Sequence, residues 1–119
     1  MVTRRQTVNV NEQGVDMRFL LSNNDELEID LRKTNGSTWG IGSGLTWEVR
    51  PGSGATISIK YSVGADFADA NFVDHNVGDI VADRGYLEQA KIQGLRFTTS
   101  GGTAIVTVAC DEAFEWRDK

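Results

Sequence analysis

From Glu26 to Arg32 the chain alternates without a break: Leu27, Ile29 and Leu31 fall on one side of an extended backbone, Glu26, Glu28, Asp30 and Arg32 on the other. The same period of two runs through most of the sequence. Leu45, Trp47 and Val49 share a face, as do Ile57, Ile59, Tyr61 and Val63 and, later, Leu95 and Phe97. Shorter runs at Gln6–Val10 and Val15–Leu21 fit the same reading. No ten-residue stretch carries the 3.6-residue apolar period of an amphipathic helix, so the chain is committed to sheet. The run Thr103–Cys110, TAIVTVAC, is apolar on both faces apart from its threonines and belongs in the middle of a sheet.

Turn residues separate these runs. Ser22-Asn23-Asn24-Asp25 precedes the third strand, and its side chains favour turns by bonding nearby backbone. Pro51-Gly52-Ser53-Gly54 joins Leu45–Arg50 to Thr56–Val63, and the pair reads as a hairpin, because Pro presets the turn dihedral and Gly supplies positive φ. Thr99-Ser100-Gly101-Gly102 joins Ile92–Thr98 to Thr103–Cys110 as a second such pair. Asp79–Ala82 reads as a short strand, while Arg84–Lys91 fits a helical turn or a bend equally well. Seven to nine short strands of this kind predict an all-β fold: a single antiparallel β-sandwich, jelly-roll-like or Ig-like. At 119 residues the chain is expected to be one domain, 1–119, with a short N-terminal arm (1–11) and a C-terminal aromatic tail (111–119).

Charge narrows the function classes. Seventeen acids face twelve bases, and the excess is local: Asp66, Asp69, Asp74, Asp79 and Asp83 lie in a stretch without Lys or Arg. A balanced body with one acidic segment does not track a phosphate backbone, so no nucleic-acid partner is expected. No run reaches the ~20 apolar residues of a bilayer span, and the polar start MVTRRQTVNVNEQ has no signal-peptide core, so no membrane partner and a cytosolic site of synthesis are expected. One Cys excludes an internal disulfide framework, and Cys110, late in a strand, reads as a small buried hydrophobe.

The candidates for chemistry are few. The Gly-rich stretch Trp39–Gly44 has neither the following helix nor the Lys of a phosphate loop. His75, between Asp74 and Asn76, has no nucleophile elbow to serve and reads as a surface imidazole whose protonated form the nearby acids favour. The four aspartates Asp66 to Asp79 offer oxygen ligands to Ca²⁺ but lack the EF-hand pattern; the alternative is a solvated acidic loop. No cofactor and no metal are assigned, no catalytic residue is assigned, and the chain is read as a non-enzyme. Trp47 and Tyr61 lie on core faces, whereas Trp39 and Trp116 are the rings expected to be exposed, at a protein interface or a sugar site.

From Gly44 to Ala109 the sequence resembles small β-sandwich virion proteins of tailed bacteriophages, of the capsid decoration or cement type. The residues that carry the likeness are Gly44–Val49, the strand Ala55–Ser62 after its PGSG turn, and the segment Ile92–Val108 with its LRFT strand and small Gly turn. The resemblance implies a non-enzymatic homo-oligomer, a trimer, that sits on the capsid surface of the virion and tightens contacts between major capsid subunits. It further implies that Val2–Asn11 and the aromatic tail act as arms, with Arg4 and Arg5 meeting an acidic capsid surface and Trp39, Phe114 and Trp116 anchoring neighbours. The loop Gly64–Asp83 departs from that pattern. A tail or fibre accessory module that binds carbohydrate or a ligand through Ca²⁺ is the competing expectation.

Overall fold

In the computed structural model, residues 4–9, 16–31, 45–64, 66–88 and 92–110 are described. They form nine strands: β1 Arg4–Asn9, β2 Asp16–Leu21, β3 Asp25–Asp30, β4 Leu45–Pro51, β5 Thr56–Ser62, β6 Val73–Asp74, β7 Arg84–Glu88, β8 Gly94–Ser100 and β9 Ala104–Cys110. A single 3₁₀ turn, Asp69–Asn71, is the one helical element among the described residues, and no helix there is long and apolar enough to cross a membrane.

The strands make two sheets, in the orders β1-β3-β8-β5-β6 and β2-β9-β4-β7, packed face to face as a β-sandwich. All pairings are antiparallel except β1 with β3. The alternation read from the sequence supplies the core. Leu27, Ile29, Ile57, Ile59, Leu95 and Phe97 face inward from the first sheet; Leu21, Leu45, Trp47, Val49, Val106 and Val108 meet them from the second. Each fully buried side chain of this size contributes about 1.5–3 kcal/mol by leaving water. As expected for an apolar run, β9 lies centrally, between β2 and β4.

Both expected hairpins are corners instead. β4 and β5 lie in different sheets, and so do β8 and β9; β2 and β3 are split in the same way. A Pro-Gly-x-Gly turn reverses the chain equally well within a sheet or between two, and here the partners of β4 are β7 and β9, far away in sequence. The three corners stack on one another. Gly52 N–H donates to Thr103 O at 2.7 Å, Gly101 N–H to Asn23 Oδ1 at 2.8 Å, and Asn24 N–H to Thr99 O at 2.9 Å. The approach is closest at Gly101, where a Cβ would stand 2.6 Å from Gly54 O and φ is +81°.

Other expectations change in detail. Arg84–Glu88 is strand β7, neither helical turn nor bend, and Asp79–Ala82 reduces to one bridge, Ile57 with Ile80. The N-terminal residues 4–9 form an edge strand of the first sheet. Cys110 ends β9, and its side chain lies outside the described residues.

Candidate functional site

On a bare sheet the charged face of β3 would lie in water, yet Glu26, Glu28 and Asp30 are all buried. The cause is what lies over them. The loop 66–72 crosses the outer face of the first sheet, with Phe67 seated on Gly94, where a Cβ would meet its ring at 2.6 Å. Arg96 lies beneath this loop, its guanidinium 3.8 Å from the centre of the Phe72 ring. Its Nε donates to Glu28 Oε2 at 2.7 Å, its Nη1 to Asp69 Oδ1 at 2.7 Å and its Nη2 to Phe67 O at 3.0 Å. Burial alone would lower the Arg96 guanidinium, but the bonds to Glu28 and Asp69 outweigh it and hold it above its ordinary value. Asp69 is exposed, and its carboxyl is held below the usual range first by the hydrogen bond from Arg96, then by the charges of Arg96 and Arg5.

β1 completes this network. Arg5 pairs with Glu26, Arg4 Nη2 lies 2.8 Å from Asp25 Oδ2, and Thr7 donates to Glu28 at 3.2 Å. Arg4 and Arg5, assigned to contacts with a neighbour, therefore hold acids of their own chain, although both side chains keep substantial exposure. Trp39, Phe114 and Trp116 lie outside the described residues.

The acidic loop disperses its aspartates. Asp66 accepts the Ala68 amide, Asp69 holds Arg96, Asp74 lies 3.9 Å from Lys60, and Asp79 accepts from Ser58. Among the described residues no three His, Cys, Asp or Glu side chains gather as a metal site.

His75 corrects the sequence reading most clearly. It is buried, and its partner is not one of the nearby aspartates but Glu88, thirteen residues on. Its backbone N–H donates to Ile59 O, which extends the edge of the first sheet past β6 and turns the ring inward. Nδ1 accepts the Val77 amide at 3.2 Å, so the ring proton resides on Nε2, which donates to Glu88 Oε2 at 2.7 Å. The same oxygen accepts Trp47 Nε1–H at 2.9 Å. Trp47, Tyr61 and Tyr86 enclose the imidazole, with ring centroids 6.0, 5.7 and 5.1 Å from it, and Trp47 stacks on Tyr86 at 5.4 Å.

This cluster opens on a cleft of about 400 Å³ between the β7 edge of one sheet and the β5–β6 edge of the other. Tyr61, His75 and Asn76 line one side, Tyr86, Leu87 and Glu88 the other, with Ile92. Sequence reasoning missed Glu88 because Arg84–Lys91 had no assigned structure. The available signal was the shared parity of Tyr86 and Glu88, which aims an acid inward once the segment is a strand.

The outer face of the second sheet stands in contrast to that of the first. Leu20 is 66% exposed and Leu87 45%, and Ile105, Thr107 and Ala109 on central β9 are only half-buried.

No protein-family model matches the sequence, and no characterised protein is similar to it in sequence. A solved structure of PliG, a periplasmic inhibitor of g-type lysozyme from Aeromonas hydrophila, aligns over 90% of this chain and 99% of its own at 10% identity, with a TM-score of 0.44. A likeness of that degree says nothing of activity.

Proposed function

We propose that the chain is a non-enzymatic structural subunit of a virion, an oligomeric capsid decoration protein whose second sheet packs against its neighbours. The observation that carries this reading is the asymmetry between the two outer faces. One is covered by its own loop and a buried ion network; the other presents Leu20 beside Ile105 at one end and Leu87 at the opposite corner, with Arg18, Thr107 and Glu48 between them. Cross-strand register places Arg18 and Glu48 on opposite flanks of Thr107. Head-to-tail contacts through this face suit a closed ring, such as a trimer. The engagement of both His75 nitrogens agrees with a role without catalysis. The sequence pattern of Gly44–Ala109 supplies the virion assignment.

Light-scattering mass of the purified chain, with Leu20→Glu and Leu87→Glu alongside, tests the assembly. A trimer that becomes monomeric in either variant supports the reading, and cosedimentation with capsids carrying the major capsid protein then tests the location. A wild-type monomer at high concentration, indifferent to both changes, overturns it.

A further inference from the structure

We propose that the cleft beside His75 is the docking site of the chain's own C-terminal segment, residues 111–119, with the rings of Phe114 and Trp116 laid against Tyr61 and Tyr86. This goes beyond the assembly role and stands independently of it. The argument starts from the surface that the cleft presents. Two of its polar side chains are bonded to each other, His75 Nε2 lying 2.7 Å from Glu88 Oε2, and the same oxygen accepts the Trp47 indole N–H. Much of the remaining lining is ring and aliphatic surface, from Tyr61, Tyr86, Leu87 and Ile92. That surface continues outward: Val73, the register partner of Tyr61, is 50% exposed, and Leu87 is 45% exposed. A concave apolar surface with an apolar rim is where an apolar side chain gains most by leaving water.

Strand register brings the segment to this place. Cys110, the last residue of β9, pairs with Leu45, and Leu45 pairs on its other side with Glu88, which lines the cleft. Two strand spacings, about 10 Å, therefore separate the end of β9 from the cleft wall. An extended chain covers roughly 3.3 Å per residue, so Phe114 can lie up to about 13 Å from Cys110 and Trp116 up to about 20 Å. Both rings have the reach. They are also two residues apart, so an extended segment presents them on the same side, with Glu115 on the other. A cleft of about 400 Å³ is at the lower end of the size of ligand pockets, which suits one ring inside and the second on the rim beside Leu87. Trp39 is the competing occupant, six residues before Leu45, but Gly40, Gly42 and Gly44 lie between them, and glycine loses the most conformational freedom when fixed.

Nuclear Overhauser effects in the isotope-labelled full chain test the contact, and an equimolar mixture of labelled and unlabelled chains separates contacts within a chain from those between chains. The expected result is a set of contacts from the ring protons of Phe114 or Trp116 to those of Tyr61 or Tyr86, present within one chain and missing from the between-chain spectrum. Hydrogen exchange at the Trp116 indole is expected to be about tenfold slower than in a peptide of residues 111–119. Trp47 supplies a second readout, because its ring stacks on Tyr86 at 5.4 Å. The full chain carrying both Phe114→Ala and Trp116→Ala is expected to show a displaced Trp47 indole cross-peak while the dispersion of the core resonances is kept. Contacts from Trp39 in place of the tail rings overturn the proposal, because the occupant is then the segment before β4. Contacts found only between chains overturn it in favour of a second copy. The absence of any contact from Phe114 or Trp116, or an unmoved Trp47 cross-peak in the double variant, overturns it outright.

Discussion

Arg96 Nε lies 2.7 Å from Glu28 Oε2 with the two side chains only 6% and 9% exposed, so an ion pair between residues 68 positions apart is sealed into the outer face of a sheet. Removing Arg96 leaves Glu28 as a buried charge with only the Thr7 hydroxyl to answer it. Arg96→Met is expected to lower stability by about 3–5 kcal/mol, whereas Glu28→Leu with Arg96→Met recovers most of that loss. Urea unfolding of the two single variants and the double variant measures it.

Asp69 ties the covering loop to Arg96, and its acid response follows from the direction of its shift. Its carboxyl in the folded chain is held below the ordinary value, so its contribution is full above the unfolded pKa and is lost as pH falls through the lower, folded value. The gap in urea midpoint between the wild type and Asp69→Asn is therefore expected to stay constant from neutral pH down to about pH 5 and to close only below about pH 4. A gap that opens as the pH is lowered would contradict this assignment.

Thr99 is fully buried on the inner face of β8, and its hydroxyl has no hydrogen-bond partner among the described residues. Valine has the same shape without the polar atom. Thr99→Val is expected to raise stability by about 1 kcal/mol, read from the denaturation midpoint at unchanged slope.

Gly101 and Gly78 both have positive φ, +81° and +75°, but only Gly101 has backbone where a Cβ would go. Gly101→Ala is expected to cost about 3 kcal/mol, as backbone strain and displacement of the Gly54 corner add, and Gly78→Ala about 1 kcal/mol from strain alone. Thermal unfolding of both variants separates the two contributions.

What the sequence made legible was local. Leu27, Ile29, Trp47, Ile57, Ile59 and Phe97 were placed on core faces by parity, and the core contains them. β9 was assigned to the middle of a sheet because both its faces are apolar, and it lies there. What escaped depends on residues far along the chain. Glu26 and Glu28 look solvated until Arg5 and Arg96 are laid beside them. His75 stands in an acidic stretch, yet Glu88 and Trp47 decide its environment. The turn at Pro51–Gly54 announces a reversal but not the sheet that the next strand joins, since that choice is made by β8 and β9.

The corners between the sheets have a kinetic consequence. Because β2 pairs with β9 and β3 with β8, these strands do not find their partners next door, and the two pairs close loops of roughly 60 and 80 residues. Chains with so high a contact order fold slowly, on the millisecond-to-second scale. Until β8 and β9 have left the ribosome, β2 has no partner and β3, β4 and β5 have only the edge strands β1, β7 and β6, and their apolar faces remain open to chaperones and to other nascent chains.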